Sequence, residues 1–453
     1  MGFSSLATLA AVIQASLDHV PLSLRGKCVS NITTDTRSLS ENAVFFALAG
    51  ERFDGHGFVE QAIAAGAIAV VVEQGKVLPH LPCLPVADTL GAYQALGHWW
   101  RTQQSARIVA ITGSVGKTTT KELIAAALST HGPVHKTQAN YNNDIGVPKT
   151  LLQLQPSHAF GVVEMGMRGP GEIARLARIA VPDVAVITNV GTAHIGRLGS
   201  EQAIADAKCE LLAELPAGGT AVLNHDNARL MATASAVWSG RTLTFGLEGG
   251  DVQGHLVDSH TLEVQGVKLP LPLPGRHNAL NWLATIAVMQ ALDLDWRVLS
   301  QGVAVDLPSG RAQQILLPND ILLLDETYNA GAESMLAALH LLAETPGQRH
   351  IAVLGTMKEL GEQSIDLHRR VGQGVSQLGL DALLTLADPG EAIALAEGAA
   401  GVSTTAFTDP AALTQHLLDI VQPGDRILLK ASRSVALDQV VDQLSSALKG
   451  QIE

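Results

Sequence analysis

Apolar residues along this chain gather into short continuous runs, and between the runs they recur every three to four positions. That alternation predicts parallel sheets covered by helices on both faces. Three such α/β units follow one another. The first holds a strand over 43–48, a helix over 59–65 and a strand over 67–72, and fades out in the proline-rich stretch 79–85. The second repeats strand and helix through 107–112, 160–163 and 184–188. A stretch rich in glycine, valine and proline, 242–274, then reads as irregular β structure before a helix begun by Asn278. The third opens after Leu307-Pro-Ser-Gly310 and predicts strands at 321–324, 350–354, 382–386 and 426–430, a Rossmann-like unit without a Gly-x-Gly-x-x-Gly fingerprint. Domains over 1–87, 88–308 and 309–453 are expected, with no internal repeat. At the N-terminus, Leu6, Leu9, Ile13 and Leu17 share one helical face within 2–17, and no basic segment precedes them, so an amphipathic helix is expected there rather than a leader peptide.

Composition narrows the class. Asp and Glu number 43 against 30 Lys and Arg, with no basic cluster, so nucleic acid is not an expected partner. Three cysteines, Cys28, Cys83 and Cys209, lack metal-ligand spacing and point to a reducing, cytoplasmic compartment. The longest apolar run, 62–72, includes Gly66 and is too short for membrane insertion. A monomer is expected.

The chemistry concentrates after the strands of the second unit, where a parallel sheet presents its ligand. Arg107-Ile-Val-Ala-Ile-Thr leads into Gly113-Ser-Val-Gly-Lys-Thr-Thr119, a strand, a glycine turn and a helix start. Gly113 and Gly116 let the backbone N–H groups turn inward around Ser114 and Val115, Lys117 brings a cation for the β/γ-phosphates, and the Thr118 hydroxyl suits Mg²⁺. Ile111 stands where the general phosphate-loop pattern has glycine, so this is the shorter Thr-Gly-x-x-Gly-Lys-Thr form. ATP is the expected nucleotide. Glu164 closes the second strand as an oxygen donor for Mg²⁺, whereas Glu172 is explained by the helix dipole. After the third strand comes Asn189-Val-Gly-Thr-Ala-His194, in which His194, an unusual Mg²⁺ ligand, reads by itself more as a surface or hydrogen-bonded loop residue.

These motifs together resemble the Mur ligases, which build the peptide stem of bacterial cell-wall precursors. Four further stretches carry the resemblance: Lys208 within 205–211, Gly275-Arg-His-Asn-Ala-Leu-Asn281, Gly310-Arg311 and Asp325-Glu-Thr-Tyr-Asn-Ala330. It spans the whole chain in the family's order. Asn140-Tyr-Asn-Asn-Asp-Ile-Gly-Val-Pro148 and Val353-Leu-Gly-Thr-Met-Lys-Glu-Leu-Gly361 with His368 look like the member that adds D-alanyl-D-alanine, and the Asp-Asn-Pro-Arg sequence of the diaminopimelate-adding member is missing. Val115, Glu326, Gly331-Ala332 and Thr356 depart from the usual pattern.

The resemblance implies three domains, for UDP-sugar, ATP and ligation, and an ATP- and Mg²⁺-dependent amide ligase. Its expected partners are UDP-N-acetylmuramoyl-tripeptide and D-alanyl-D-alanine, joined through an acyl phosphate. It gives Lys117, Glu164, His194, Lys208 and Arg311 catalytic roles, with Thr118, Glu164, His194 and Lys208 at metal and Lys208 able to carry a carbamate. Without it, Lys208 reads as a surface lysine of a helix over 204–212. His277 and Asn278 would meet adenine, Asp325 and Tyr328 the ribose side, and Arg311 the γ-phosphate; Asn278 alone reads equally as a helix cap. Thr36, Arg37, Asp54 and His56 resemble the nucleotide-sugar loops, and Asn140, Asn142 and Asn143 offer amides to the incoming dipeptide. Two other classes account for less. A regulatory phosphate-loop NTPase leaves Arg311, Asp325 and the first unit without a role, and a catalytically silent sugar-nucleotide binder would not need Lys117, Glu164, His194 and Lys208.

Overall fold

A computed structural model describes residues 5–50 and 53–450. Among them, three sheets of four, nine and six strands follow in chain order. The first is wholly parallel, Ile32–Thr33, Ala43–Phe46, Ala67–Glu73 and Cys83–Val86 lying side by side. The proline-rich stretch expected to end the unit therefore supplies its last strand. Cys83–Val86 lies at the sheet edge, where Pro85 is tolerated because one side of the strand has no ladder to complete. The N-terminal helix is shorter than expected, Leu6–Val12, capped by the Ser5 side chain. Gln14 turns left-handed after it, so Leu17 reaches the same core from beyond the helix, and 2–4 lie outside the described residues.

In the central sheet the strands run Val267–Pro270, Thr261–Val264, Val252–Asp258, Thr242–Gly246, Thr220–Asn224, Val184–Ile187, Arg107–Thr112, Phe160–Glu164 and Val134–Lys136. Side-chain alternation sorts the parallel strands onto two cores. Val109, Ile111, Val162, Val184 and Val186 pack with the helices Lys117–Ser129 and Arg276–Ala291. Ile108, Ala110, Val163, Ala185 and Ile187 pack on the other side with Tyr93, Leu176, Ile204 and Leu211, in a core continuous with Leu6 and Phe46 of the first unit. Both faces are covered, which is why these strands read as unbroken apolar runs. The 242–274 stretch is regular rather than irregular: its last three strands are antiparallel, and Gln265 and Gly266, both left-handed, make the tight turn joining two of them. The following helix starts at Arg276, with Gly275 at its cap, so Asn278 is its third residue and not the cap.

The last sheet runs Gln313–Leu317, Ile321–Glu326, Asp425–Lys430, Arg349–Gly355, Ala382–Leu386 and Ser403–Phe407, parallel except for the first pair. Its two edge strands escaped the sequence pattern because most of their positions are partly or fully exposed. No helix among the described residues is long and apolar enough to cross a membrane.

Candidate active site

Arg107–Thr112 is flanked by Val184–Ile187 on one side and Phe160–Glu164 on the other. Three strand ends thereby open onto one crevice, a cleft of about 840 Å³ that also receives residues of the third unit. Ser114–Thr119 form its floor. Gly113 comes so close to Thr188 that a Cβ would meet the threonine Oγ1 at 1.9 Å, and Gly116 is left-handed with φ 81°. Asn189 straps the loop down, its backbone O accepting from Ser114 N at 3.0 Å and its Oδ1 from Val115 N at 3.0 Å. These two N–H groups were expected to face a phosphate; the donors aimed outward belong instead to the first turn of the helix from Lys117. Lys117 Nζ folds onto Gly113 O at 2.7 Å and Ser114 O at 3.3 Å. Burial, and secondarily Arg311, push its pKa down, while Glu164 opposes the shift.

Glu164, buried at its strand end, accepts from Thr118 Oγ1 at 2.9 Å through Oε2 and from Asn142 Nδ2 at 2.8 Å through Oε1. Among the described residues no group of three or more His, Cys, Asp or Glu could hold a metal ion. Thr118 and Glu164 nevertheless place two hard oxygens together beside the phosphate loop, a donor set that fits Mg²⁺ completed by phosphate oxygens and water. Asn143 Oδ1 accepts from Gly146 N at 2.8 Å where the helix Gly146–Leu152 begins, and Asn140, Asn142 and Asn143 all line the cleft.

Lys208 is not the surface lysine of its helix: it is 1% exposed on Glu201–Ala213. Burial, and then the charge of Lys117, hold its pKa well below the usual lysine value. His194, left-handed at the start of Ile195–Leu198, pairs with Glu359 at 2.5 Å. Its pKa is lowered by burial and by Lys117, against the pull of Glu359. Lys117 and His194 both line the cleft, whereas Lys208 lies behind its lining.

The third unit closes the cleft. Arg311 lies over the Tyr328 ring at 4.0 Å, and its Nε is buried without a hydrogen-bond partner among the described residues. Glu333 accepts from Thr192 N at 2.9 Å and Thr192 Oγ1 at 3.1 Å, and Lys430 pairs with Glu326 at 3.3 Å. His277, kept neutral by burial, and Asn278 line the wall; Asn278 Nδ2 donates to Pro274 O at 2.8 Å. Asp325 is not brought to the cleft. Its Oδ1 accepts from Thr327 N at 3.0 Å and Thr327 Oγ1 at 2.6 Å, closing a turn that sends Glu326 and Tyr328 to the wall instead.

The four residues of the first unit stand apart from this wall. Asp35 caps the turn Thr36–Ser38, and Arg37, whose side chain is 88% exposed, pairs back onto it at 2.7 Å. The guanidinium holds the Asp35 carboxyl down to about 2, with a smaller contribution from Lys149, whose Nζ sits over the Tyr141 ring at 4.0 Å. Asp54 pairs with His56 at 2.6 Å and with Lys76 at 2.7 Å. Sequence reasoning missed Lys121, Glu122, Glu333, Glu359 and Lys430. Lys430 was findable, since it ends a strand as Glu164 does, and Glu359 lies within the 353–361 stretch already singled out; Glu333 carries no such signal, because only domain packing brings it in.

Comparisons with known proteins agree along the chain. Residues 29–132 match the Mur ligase family catalytic domain, 111–289 the Mur ligase middle domain, and 310–433 the Mur ligase glutamate ligase domain. The chain is 57% identical over 421 residues to the UDP-N-acetylmuramoyl-tripeptide–D-alanyl-D-alanine ligase of Synechocystis sp., covering 92% of each. It superposes on a crystal structure of MurF from Acinetobacter baumannii with a TM-score of 0.89 at 32% identity, over 98% of both chains. MurF ligase from Thermotoga maritima in complex with ADP gives a TM-score of 0.83 at 30% identity, over 93% of this chain and 99% of that one.

Proposed function

The chain belongs to the Mur ligase family, and from that premise we infer how its cleft performs the chemistry. Its reaction is the ATP-dependent addition of D-alanyl-D-alanine to UDP-N-acetylmuramoyl-tripeptide, giving UDP-N-acetylmuramoyl-pentapeptide for peptidoglycan synthesis. The observation that carries the residue-level reading is the meeting of Lys117 and Glu164 with Arg311 of a different unit in one cleft.

A carboxylate acylates an amine only once its oxygen has become a good leaving group. In our reading the terminal carboxylate of the tripeptide attacks the γ-phosphate of ATP, releasing ADP and leaving an acyl phosphate. The free amine of the dipeptide then adds to the acyl carbon, and the tetrahedral intermediate collapses with loss of inorganic phosphate and a proton. The electrostatic difficulty is bringing an anion up to a triphosphate. Lys117 and the N–H groups of its helix hold the β/γ-phosphates, and Arg311, with an unpartnered Nε, reaches the γ-phosphate from the third unit. Thr118 and Glu164 hold Mg²⁺, which when bound neutralises phosphate oxygens. His194 and Lys208 complete a second cation site, with Lys208 as a carbamate; its burial favours the neutral amine that CO₂ requires. His277 and Asn278 pack on adenine, with Tyr328 at the ribose side. Thr36, Arg37, Asp54 and His56 take the UDP-sugar, and Asn140, Asn142 and Asn143 orient the peptide ends.

This assigns 1–87 to the UDP-sugar, 88–308 to ATP and 309–453 to ligation, in a cytoplasmic monomer that acts without nucleic acid or membrane insertion. Mass spectrometry of the products tests it: pentapeptide nucleotide and ADP should form together only when ATP, tripeptide nucleotide and dipeptide are all present. ADP release without ligation would favour a plain NTPase.

A further inference from the structure

We propose that Lys121 is a positioning residue for Glu164, a buried ammonium that fixes the carboxylate in the orientation in which it meets metal-bound nucleotide. This rests on the reading of Glu164 as a metal ligand. Lys121 is 0% exposed on the phosphate-loop helix, one turn after Lys117, and a lysine so placed must have its charge met inside the protein. Its Nζ lies 2.9 Å from Thr137 O, 2.9 Å from Glu122 Oε1 and 3.9 Å from Glu164 Oε2.

The plain alternative is that Lys121 only balances Glu122. Glu122, however, has a second cation of its own, Lys136, in direct contact with its other oxygen. The four side chains form an alternating line, Lys136, Glu122, Lys121, Glu164, running inward to the phosphate loop, and with Lys136 serving Glu122 the inner ammonium is left for Glu164. Position agrees with charge. Thr137 accepts from Lys121 through its carbonyl and from Glu164 N through Oγ1 at 3.0 Å, so one threonine ties the lysine to the backbone of the carboxylate. Asn142, five residues further along, holds the other carboxylate oxygen. Remove the ammonium and two buried carboxylates, Glu122 and Glu164, face each other without it, and Glu164 loses its fixed orientation.

Calorimetric titration of the full-length protein with ADP, in EDTA and in Mg²⁺, reads the consequence without turnover. The quantity is the gain in ADP affinity that Mg²⁺ confers. Lys121→Met should lose roughly 10- to 100-fold of that gain, the usual range for a residue supporting a metal ligand, with metal-free ADP affinity within about two-fold of wild type. A merely structural lysine would lower the unfolding temperature and leave the gain alone. The double variant Lys121→Met/Glu122→Gln removes the charge pair together and decides the question even where the single variant does not fold. A gain still lost in the double variant supports the proposal; a wild-type gain in either variant overturns it. Glu164→Gln, run alongside, separates the two readings: if it keeps the full gain, the metal assignment fails; if it loses the gain while Lys121→Met keeps it, only the role of Lys121 fails.

Discussion

Removing the Lys117 ammonium should cripple phosphoryl transfer while leaving the sugar nucleotide bound. In the structure Nζ rests on Gly113 O at 2.7 Å and Ser114 O at 3.3 Å, within the loop to which we assign the phosphates. Unit charges about 4 Å apart at an effective dielectric near 20 interact by about 4 kcal/mol. Only the part that strengthens as charge moves onto the leaving oxygen accelerates the reaction, and Arg311 shares the load. About 3 to 4 kcal/mol of lost transition-state stabilisation corresponds to a fall in kcat of roughly 10²- to 10³-fold in Lys117→Ala. Stability should move little, by under about 1 kcal/mol, because the side chain is only partly buried and its ammonium is held by two backbone carbonyls rather than by an ion pair. The UDP-sugar contacts assigned to Thr36, Arg37, Asp54 and His56 belong to another sheet. Coupled ADP-release kinetics, with calorimetric binding of UDP-N-acetylmuramoyl-tripeptide on the same preparation, check both halves. Turnover within a few-fold of wild type would remove the phosphate-loop assignment, and loss of sugar-nucleotide binding would mean the effect is not local.

Three further outcomes are expected. Lys208→Ala should lose most activity and regain part of it with added short carboxylic acids; wild-type turnover would end the carbamate reading, and failure of rescue would make Lys208 a structural lysine. His368 is buried and neutral, Nε2 accepting from Met357 N at 2.9 Å and Nδ1 bonded to Ser364 O at 2.7 Å, and burial lowers its pKa from 6.5. The unfolded chain binds that proton more readily, so this stability is present above pH 6.5 and lost as pH falls toward the lowered folded value. Urea midpoints from pH 7 to 5 should therefore fall less steeply in His368→Gln, and equal slopes would refute it. Thiol titration of the native protein at pH 8 should modify exposed Cys28 well ahead of buried Cys83 and Cys209, since burial pushes the Cys209 thiol up to about 12; rapid modification of all three would contradict the packing.

Much of this protein was legible from order along the chain. Strands buried on both faces declare themselves as apolar runs, and chemistry confined to one strand–loop–helix unit, as at Gly113–Thr119, is local in sequence because its geometry is local. Edge strands such as Ser403–Phe407 were silent because half-exposed positions need not be apolar. Residues 242–274 looked irregular because short antiparallel strands joined by two-residue turns leave no long period. The sequence was silent where a side chain had a choice of partners: Asp325 Oδ1 bonds Thr327, and Asn189 accepts from the N–H groups of Ser114 and Val115. The amino-acid order determined three α/β units, the phosphate loop, and Glu164 at a strand end. Tertiary structure alone decided that Lys208 is buried, that Lys121 lies 3.9 Å from Glu164, and that Glu359 and Glu333 cross from the third unit onto His194 and Thr192. Burial and ion pairing are set by the packing of elements far apart in the chain, and neither spacing nor composition encodes the rotation of one sheet against the next.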